Sequence, residues 1–482
     1  MTTQTAEDED KPPSSHQQFL LPKHKIKAIY LSNVLEGFYR GYQALPLKKR
    51  LFWTRHDSLD SNRALFYNTD SKVIITSYPI NNNHFKNICQ LMHWQNVYNL
   101  IPRQASFSIC EDCVGDIPLR NALEKLISNN PGIALIPYRA TTEFYNLVAF
   151  LRKKGLTFTT PETVSLENEF IVNYAHCKRG FRHLWSKALP SNSEANISIP
   201  LGFIVGNKKE AIEASWWFQQ QKRSFVIKYN RGAQGLGILL HDWSKLPKKR
   251  KDFFQQLNTI LGEKIWEEPC IIVEELIKAD KTKLGGSPSI EFFIDQSGKV
   301  NPTYACEQVL ADDKKTFRGI YIHPQIMNNK HIKAAFCAGK YFGQELSSLG
   351  YRGYFDIDLV ISDKDKVYAV ESNLRHTGGT HIDETAQALL GKHYWQSYHI
   401  VDEDIVFPEN SNLTYEQCFN LLTDLYYTAE KKQGLIFCNA DMLQVDILNL
   451  IFIAQSEKEM IFLRQGVKRR LNQIVRKKNA FH

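Results

Sequence analysis

Three carboxylates and an amide on one predicted hairpin are the residues from which chemistry can be read first. In IDLVIS-DKDK-VYAVESN, two apolar runs flank a charged four-residue loop, the pattern of an antiparallel hairpin. With Asp363 to Lys366 as the loop, Ser362 pairs with Val367 and Asp358 falls opposite Glu371. Directly opposed residues share a face, and a period of two adds Asp356 and Asn373 to it. Carboxylates gathered this way repel one another unless a cation lies among them. Hard oxygen donors in this number suit magnesium, which takes a few carboxylates and completes its shell with phosphate oxygens and water. Asp356, Asp358, Glu371 and Asn373 are therefore candidate ligands for a magnesium-bound nucleotide.

Other segments fit the same chemistry. In FVIKYNRGAQGLGI, an apolar strand brings in Lys228, and Gly232, Gly235 and Gly237 follow in a loop. Glycines allow positive φ and close approach, so such a loop can offer backbone N–H groups to phosphate while the ammonium adds positive charge. The lysine precedes the glycines, so this is not the Walker arrangement. The strand IIVEELIK ends in Glu274, Glu275 and Leu276, groups able to meet an adenine amino group and wall its ring. Beyond Asn373 the chain continues as Leu374, Arg375, His376, Thr377, Gly378, Gly379, Thr380, His381. Arg375 and the amides of this loop could face an oxyanion, and His376 or His381 could orient substrate or accept a proton. Glu307, Gln308 and Arg318 are further polar residues close by in the expected cleft, and no serine or cysteine triad is visible.

These groups need strands and helices to hold them. With 482 residues, 43% hydrophobic and 23% charged, the chain has the length for about three globular domains. No window reaches the roughly 18 uncharged apolar residues of a membrane span. The polar, acidic start MTTQTAEDEDKPPSS predicts a disordered leader over 1–20 and not a signal peptide. Nine cysteines without framework spacing point to a reducing compartment and a cytoplasmic protein, and Cys110 and Cys113 read as structural thiols. The net charge of +9 is spread over the chain, so nucleic acid is not the expected partner. The clusters KLPKKRK and KRRLNQIVRKK read as solvated helix ends.

RLFWT and KVIITSY read as strands, and HFKNICQLMHWQ, PLRNALEKLI and TTEFYNLVAFLRKKG as helices, which predicts an α/β domain over 36–165. From 166 to 395 the pattern is α+β, with a helix near Lys178 to Lys187, a strand entry at ISIPLGFIVG, and strands SFVIKYN, IIVEELI, SIEFFID and KVNPTYAC. A C-terminal α+β segment over 396–482 carries two helical stretches and a short strand at GLIFC.

Taken in order, VIKYNRGAQGLG, IIVEEL, SPSIEFFID and GYFDIDLVI with VESNLRHTGGTH resemble the ATP-grasp fold over about 170–395. The set is most similar to peptide ligases of the pheganomycin type, which carry a pre-ATP-grasp α/β domain at the N-terminus. The resemblance implies two subdomains holding ATP with Mg2+ between them. It implies phosphate contacts from Lys228, a mobile cover at Gly232, Gly235 and Gly237, and an adenine contact from Glu274 or Glu275 beside Leu276. It also implies magnesium on Asp358, Glu371 and Asn373, and a phosphoryl-steadying role for Arg375. Asp356 departs from the pattern, and Ser289 replaces the usual ribose-binding acid, with Glu291 two positions on. The implied reaction joins a small-molecule or peptide carboxylate to an amine through an acyl phosphate, releasing ADP and phosphate. A kinase on the same fold, a non-catalytic ATP-binding module and a homodimer remain compatible with these residues.

Overall fold

The computed structural model describes residues 25–67, 70–189, 197–232, 235, 237–311 and 316–479; the expected leader lies outside them. Short runs rich in Ile, Val and Leu form a four-stranded parallel sheet, β1 (Ala28–Leu31), β2 (Lys72–Ile75), β3 (Val97–Leu100) and β4 (Ala134–Pro137). Its order is β3-β2-β1-β4, so the first strand is central. Ile29, Leu31, Val73, Ile74, Ile75 and Leu135 are wholly buried, as a parallel sheet covered on both faces requires. RLFWT is not a strand: it lies in the helix Leu47–Asp60, and β1, only four residues long, takes the sheet position instead.

A second, antiparallel sheet comprises β5 (Gly202–Val205), β6 (Phe225–Tyr229), β7 (Ile238–His241) and β8 (Ile271–Glu275) in the order β5-β8-β6-β7. The helices Lys208–Gln220 and Arg250–Ile260 bury Phe218, Phe253 and Leu257 with Phe225 of this sheet.

The third sheet is antiparallel and eight-stranded. Its strands are β9 (Pro288–Ile294), β10 (Val300–Leu310), β11 (Phe317–Ile322), β12 (Gly353–Ile361), β13 (Val367–Asn373), β14 (His399–Val406), β15 (Gly434–Asn439) and β16 (Ile447–Ala454). The order β13-β12-β9-β10-β11-β14-β16-β15 joins the C-terminal strands to the same sheet through β11 and β14. Two of those strands, β14 and β16, went unread in the sequence, because their apolar runs HIVDEDIV and ILNLIFIA alternate only in part.

The β12–β13 hairpin places its acids in the expected register by an unexpected route. Near the turn Ile361 pairs with Val367, one residue off the predicted pairing, because Asp365 takes a left-handed conformation and tightens the loop. A bulge between Asp358 and Leu359 then takes up the extra residue, and Asp358 faces Glu371 while Asp356 faces Asn373. Cys110 and Cys113 are buried on the helix Ile109–Gly115. Among the described residues no helix is long and apolar enough to cross a membrane.

Candidate active site

A cleft of about 380 Å³ collects residues from the second and third sheets and from segments that flank the first. Lys228, Gly232 and Gly235 line it from the β6–β7 side, Asp356, Asp358, Glu371, Asn373 and Arg375 from the hairpin side, and Phe38 and Tyr138 from the N-terminal region. A larger open depression of about 820 Å³ beside β5, lined by Phe203, Ile204 and Trp217 with Arg182 and Glu210, contains none of the predicted site residues.

Lys228 is buried, and its Nζ lies 2.5 Å from Glu274 Oε1. The other oxygen of Glu274 accepts from Arg182 Nη1 at 2.7 Å, so this carboxylate bridges two cations. Glu274, Glu275 and Leu276 do not line the cleft. The strand-end acids expected near adenine are engaged with cations here: Glu274 with Lys228 and Arg182, and Glu275 at 3.9 Å from Arg223. Gly237 also sits outside the cleft lining. At its φ of +68° it closes the loop by accepting from Tyr229 N at 2.7 Å, and a Cβ there would come within 2.5 Å of Tyr229 Cβ.

Lys178, absent from the sequence reading as a site residue, is central. Its buried Nζ donates to Glu371 Oε1 and to the Gly232 carbonyl, each at 2.8 Å, tying the hairpin to the glycine-rich loop. Gln308 Nε2 donates to Asp358 Oδ1 at 2.6 Å. Asn373 donates from its backbone N and its Nδ2 to Asp356 Oδ1 at 2.8 and 3.0 Å, which explains why a fourth oxygen-bearing side chain sits on this face. Burial pushes the Asp356 carboxyl up to about 6, with Arg375 opposing the rise. Burial, reinforced by Asp356 and Glu371, pushes Asp358 well above the usual carboxylate range. Carboxylates so placed gain most from a bound cation. Among the described residues no group of three or more His, Cys, Asp or Glu side chains is placed to hold a metal ion by itself. Two carboxylates and an amide fit magnesium, which draws its other ligands from phosphate and water.

Arg375 donates to Asn373 Oδ1 at 3.2 Å and to the His376 carbonyl at 3.0 Å, and its guanidinium lies 5.5 Å from the ring centres of both Phe38 and Tyr138. The N-terminal sheet region thus holds the arginine that the hairpin supplies. His376 is corrected as a catalytic candidate. Its Nε2 lies 2.7 Å from Glu162 Oε2, its ring packs against Tyr67 and Tyr354, and it does not line the cleft. Glu291 is corrected as a ribose contact. It is 1% exposed and accepts from Thr377 at 2.7 Å, Thr380 at 2.5 Å and Thr303 at 3.1 Å, pinning the loop after β13. Burial holds its carboxyl well above the usual range against the hydroxyls of Thr380 and Thr377. Within that loop the amides of Thr377 and Gly379 are taken by hydroxyls at 2.7 and 3.2 Å, while Gly378 lines the cleft. Gln308 and Arg318 line the cleft, and Glu307 turns away to His323.

No family model matches the chain. L-propargylglycine–L-glutamate ligase from Streptantibioticus cattleyicolor is 31% identical over 125 residues, 26% of this chain and 24% of that ligase, so the chain matches about a quarter of its relative's length. The biotin carboxylase of Campylobacter jejuni, solved as a β-γ-ATP complex, superposes with a TM-score of 0.52 at 12% identity, covering 91% of this chain and 89% of that one. N5-carboxyaminoimidazole ribonucleotide synthetase, solved with ADP, gives 0.50 at 11% identity, covering 94% and 98%. The chain has the ATP-grasp fold. Within the ATP-grasp frame, the β5–β8 sheet and the β12–β13 end of the long sheet are the two faces that meet across the cleft. Lys178, Phe38 and Tyr138 are the functional neighbours that sequence reasoning missed. A lysine at a helix N-terminus and two aromatics more than 200 residues from Arg375 carry no local signal of what they meet.

Proposed function

We propose that the protein is an ATP-dependent ligase that joins a carboxylate to an amine, with release of ADP and phosphate. The observation that carries this reading is the single cleft in which Lys228 and the glycine-rich loop face Asp358, Glu371, Asn373 and Arg375. The residue types match the parts phosphoryl transfer needs, which are positioning and neutralisation of charge. Magnesium with ATP would supply the electrophilic phosphoryl group, held by Asp358, Glu371 and Asn373. Lys228, kept in place by Glu274, brings an ammonium to the phosphates. A carboxylate substrate is a poor electrophile until one of its oxygens takes the γ-phosphoryl group; the amine nitrogen then adds to the carbonyl, loses its proton, and phosphate leaves. Arg375 and Gly378 line the same cleft, where a guanidinium and a backbone N–H could receive the oxyanion of that addition. The likeness to a propargylglycine–glutamate ligase supports small-molecule carboxylate and amine substrates for the same cleft.

Mass spectrometry of products formed with ATP, magnesium and mixed pools of carboxylates and amines tests the proposal. A product equal to two substrates less one water, with ADP, is the expected result. A phosphorylated substrate identifies a kinase, and unchanged pools with bound nucleotide identify a binding module; either overturns the reading.

A further inference from the structure

The cleft continues past Arg375 into a region that the ligase reading leaves unused. Tyr138 marks the junction: the Arg375 guanidinium lies 5.5 Å from the centre of its ring and that of Arg63 lies 5.3 Å from it. Beyond it the lining includes Asp60 from the end of the helix Leu47–Asp60, and Asp402 and Asp404 from β14. Across the long sheet, β14 stands four strand spacings from β12, roughly 19 Å from the magnesium-type carboxylates.

These acids are short of donors. Asp402 is 4% exposed, and one Asn449 amide serves both acids of β14, donating to Asp402 Oδ1 at 2.9 Å and Asp404 Oδ1 at 3.1 Å. Asp60 takes Arg63 Nη1 at 3.2 Å, and the other Arg63 Nη donates to Tyr138 at 3.1 Å, so Arg63 is committed. Arg318 and His56 act on Asp404 through space, while the hydrogen bonds to Asp402 and Asp404 come from the one Asn449 amide. Independently, His381, 2% exposed, lines the cleft with no hydrogen-bond partner at Nδ1, while its Nε2 meets Cys438 Sγ at 3.1 Å. Cys438 feels Asp402, Arg63, Asp60 and Asp404, which places His381 on the wall of the same acidic region. Asp402, buried, and Asp404, half-buried, share one amide donor, and with the unpartnered imidazole nitrogen they suit an ammonium, which has three donors and no acceptor.

Resting on the ligase reading, we propose that this acidic end seats a cationic substituent of the amine substrate, distinct from the nitrogen that attacks. An ammonium held by carboxylates keeps its proton and has no lone pair to add to a carbonyl, so the charged group and the nucleophile are different nitrogens. The substrate class is an amine with a second basic group, such as a diamine or a basic amino acid or peptide.

The test uses the whole protein saturated with magnesium and ADP, so that the hairpin carboxylates are occupied, at matched ionic strength. Melting temperature is followed against 1,4-diaminobutane and its neutral counterpart 1,4-butanediol. The diamine raises it with concentration and the diol does not; in D402N and D404N, which keep their response to ADP, the diamine effect is lost. With a turnover substrate pair, the second charge lowers the acceptor KM by about tenfold in the wild type, the scale of one close charge pair. Equal responses to diamine and diol, or a diamine response that survives in both variants, overturn the proposal. If condensed products form but the acceptor's second charge has no effect, the seat fails and the ligase reading stands. If the diamine response depends on both acids but no substrate pair ever releases ADP, the ligase reading fails and the cation seat stands.

Discussion

Replacing Glu274 with Gln separates the structure's assignment of this residue from the one its place at a strand end suggests. The substitution keeps shape and removes the charge that holds Lys228 Nζ at 2.5 Å and Arg182 Nη1 at 2.7 Å. The Lys228 and Arg182 side chains are only 9% and 10% exposed, so two cations lose their counter-charge in a place that water reaches poorly. Removing one partner of a buried ion pair costs about 3–5 kcal/mol. At about 2.1 cal/mol/K per residue, the unfolding entropy of 482 residues is about 1 kcal/mol/K, so a fully cooperative transition shifts by about 3–5 °C. Calorimetry without nucleotide measures that shift. Titration with ATP and GTP then shows weaker binding of both, because Lys228 loses its brace, with the preference between the bases unchanged. A melting temperature within about 1 °C of wild type together with an altered base preference refutes the bridging role and restores Glu274 to adenine recognition.

Other outcomes follow from the same packing. Lys178→Met removes the ammonium that competes for Glu371, so calorimetric titration gives tighter magnesium binding in the presence of ADP and a lower melting temperature without it. Gly379→Ala puts a Cβ 2.1 Å from Tyr304 Oη and 2.7 Å from Ile320 Cδ1; a loss of about 1–3 kcal/mol in urea unfolding and a fall in turnover are expected as the loop beside Arg375 shifts. His84 is buried against Phe66 and Tyr415, and desolvation lowers its imidazole to about 4, below the 6.5 of an exposed histidine. Its contribution is complete above the unfolded value and is lost as pH falls from about 6.5 towards 4. Between pH 7.5 and 5 the wild type therefore loses about 2 kcal/mol more stability than His84→Phe, read from urea midpoints at the two pH values.

The legible parts of this protein are those whose cause is local. Alternation along β12 and β13 placed Asp358 across from Glu371, although the turn is one residue tighter than apolar spacing implies and only a bulge restores the pairing. Lys228 and its glycine-rich loop could be read because the strand and the turn adjoin in sequence. Glu291 was misread for a physical reason: it shares a face with Ser289, but its pairing with Asp356 and the threonines above it put it under the loop and not beside the cleft. His376 follows Arg375 directly, yet its ring turns to Glu162 and two tyrosines. The partners of Arg375 and Glu371 come from Phe38, Tyr138 and Lys178, contacts that only the tertiary fold creates. RLFWT is rich in strand-favouring residues but lies within a helix, where tertiary packing overrides propensity.

The central claim is that a carboxylate is activated by phosphoryl transfer before the amine adds. Incubation with ATP, magnesium, an amine pool and carboxylates labelled with oxygen-18 in both oxygens follows the bond that must break. The account predicts one labelled oxygen in each released phosphate, with ADP and amide formed in equal amounts. Unlabelled phosphate accompanying amide formation, or AMP in place of ADP, contradicts it.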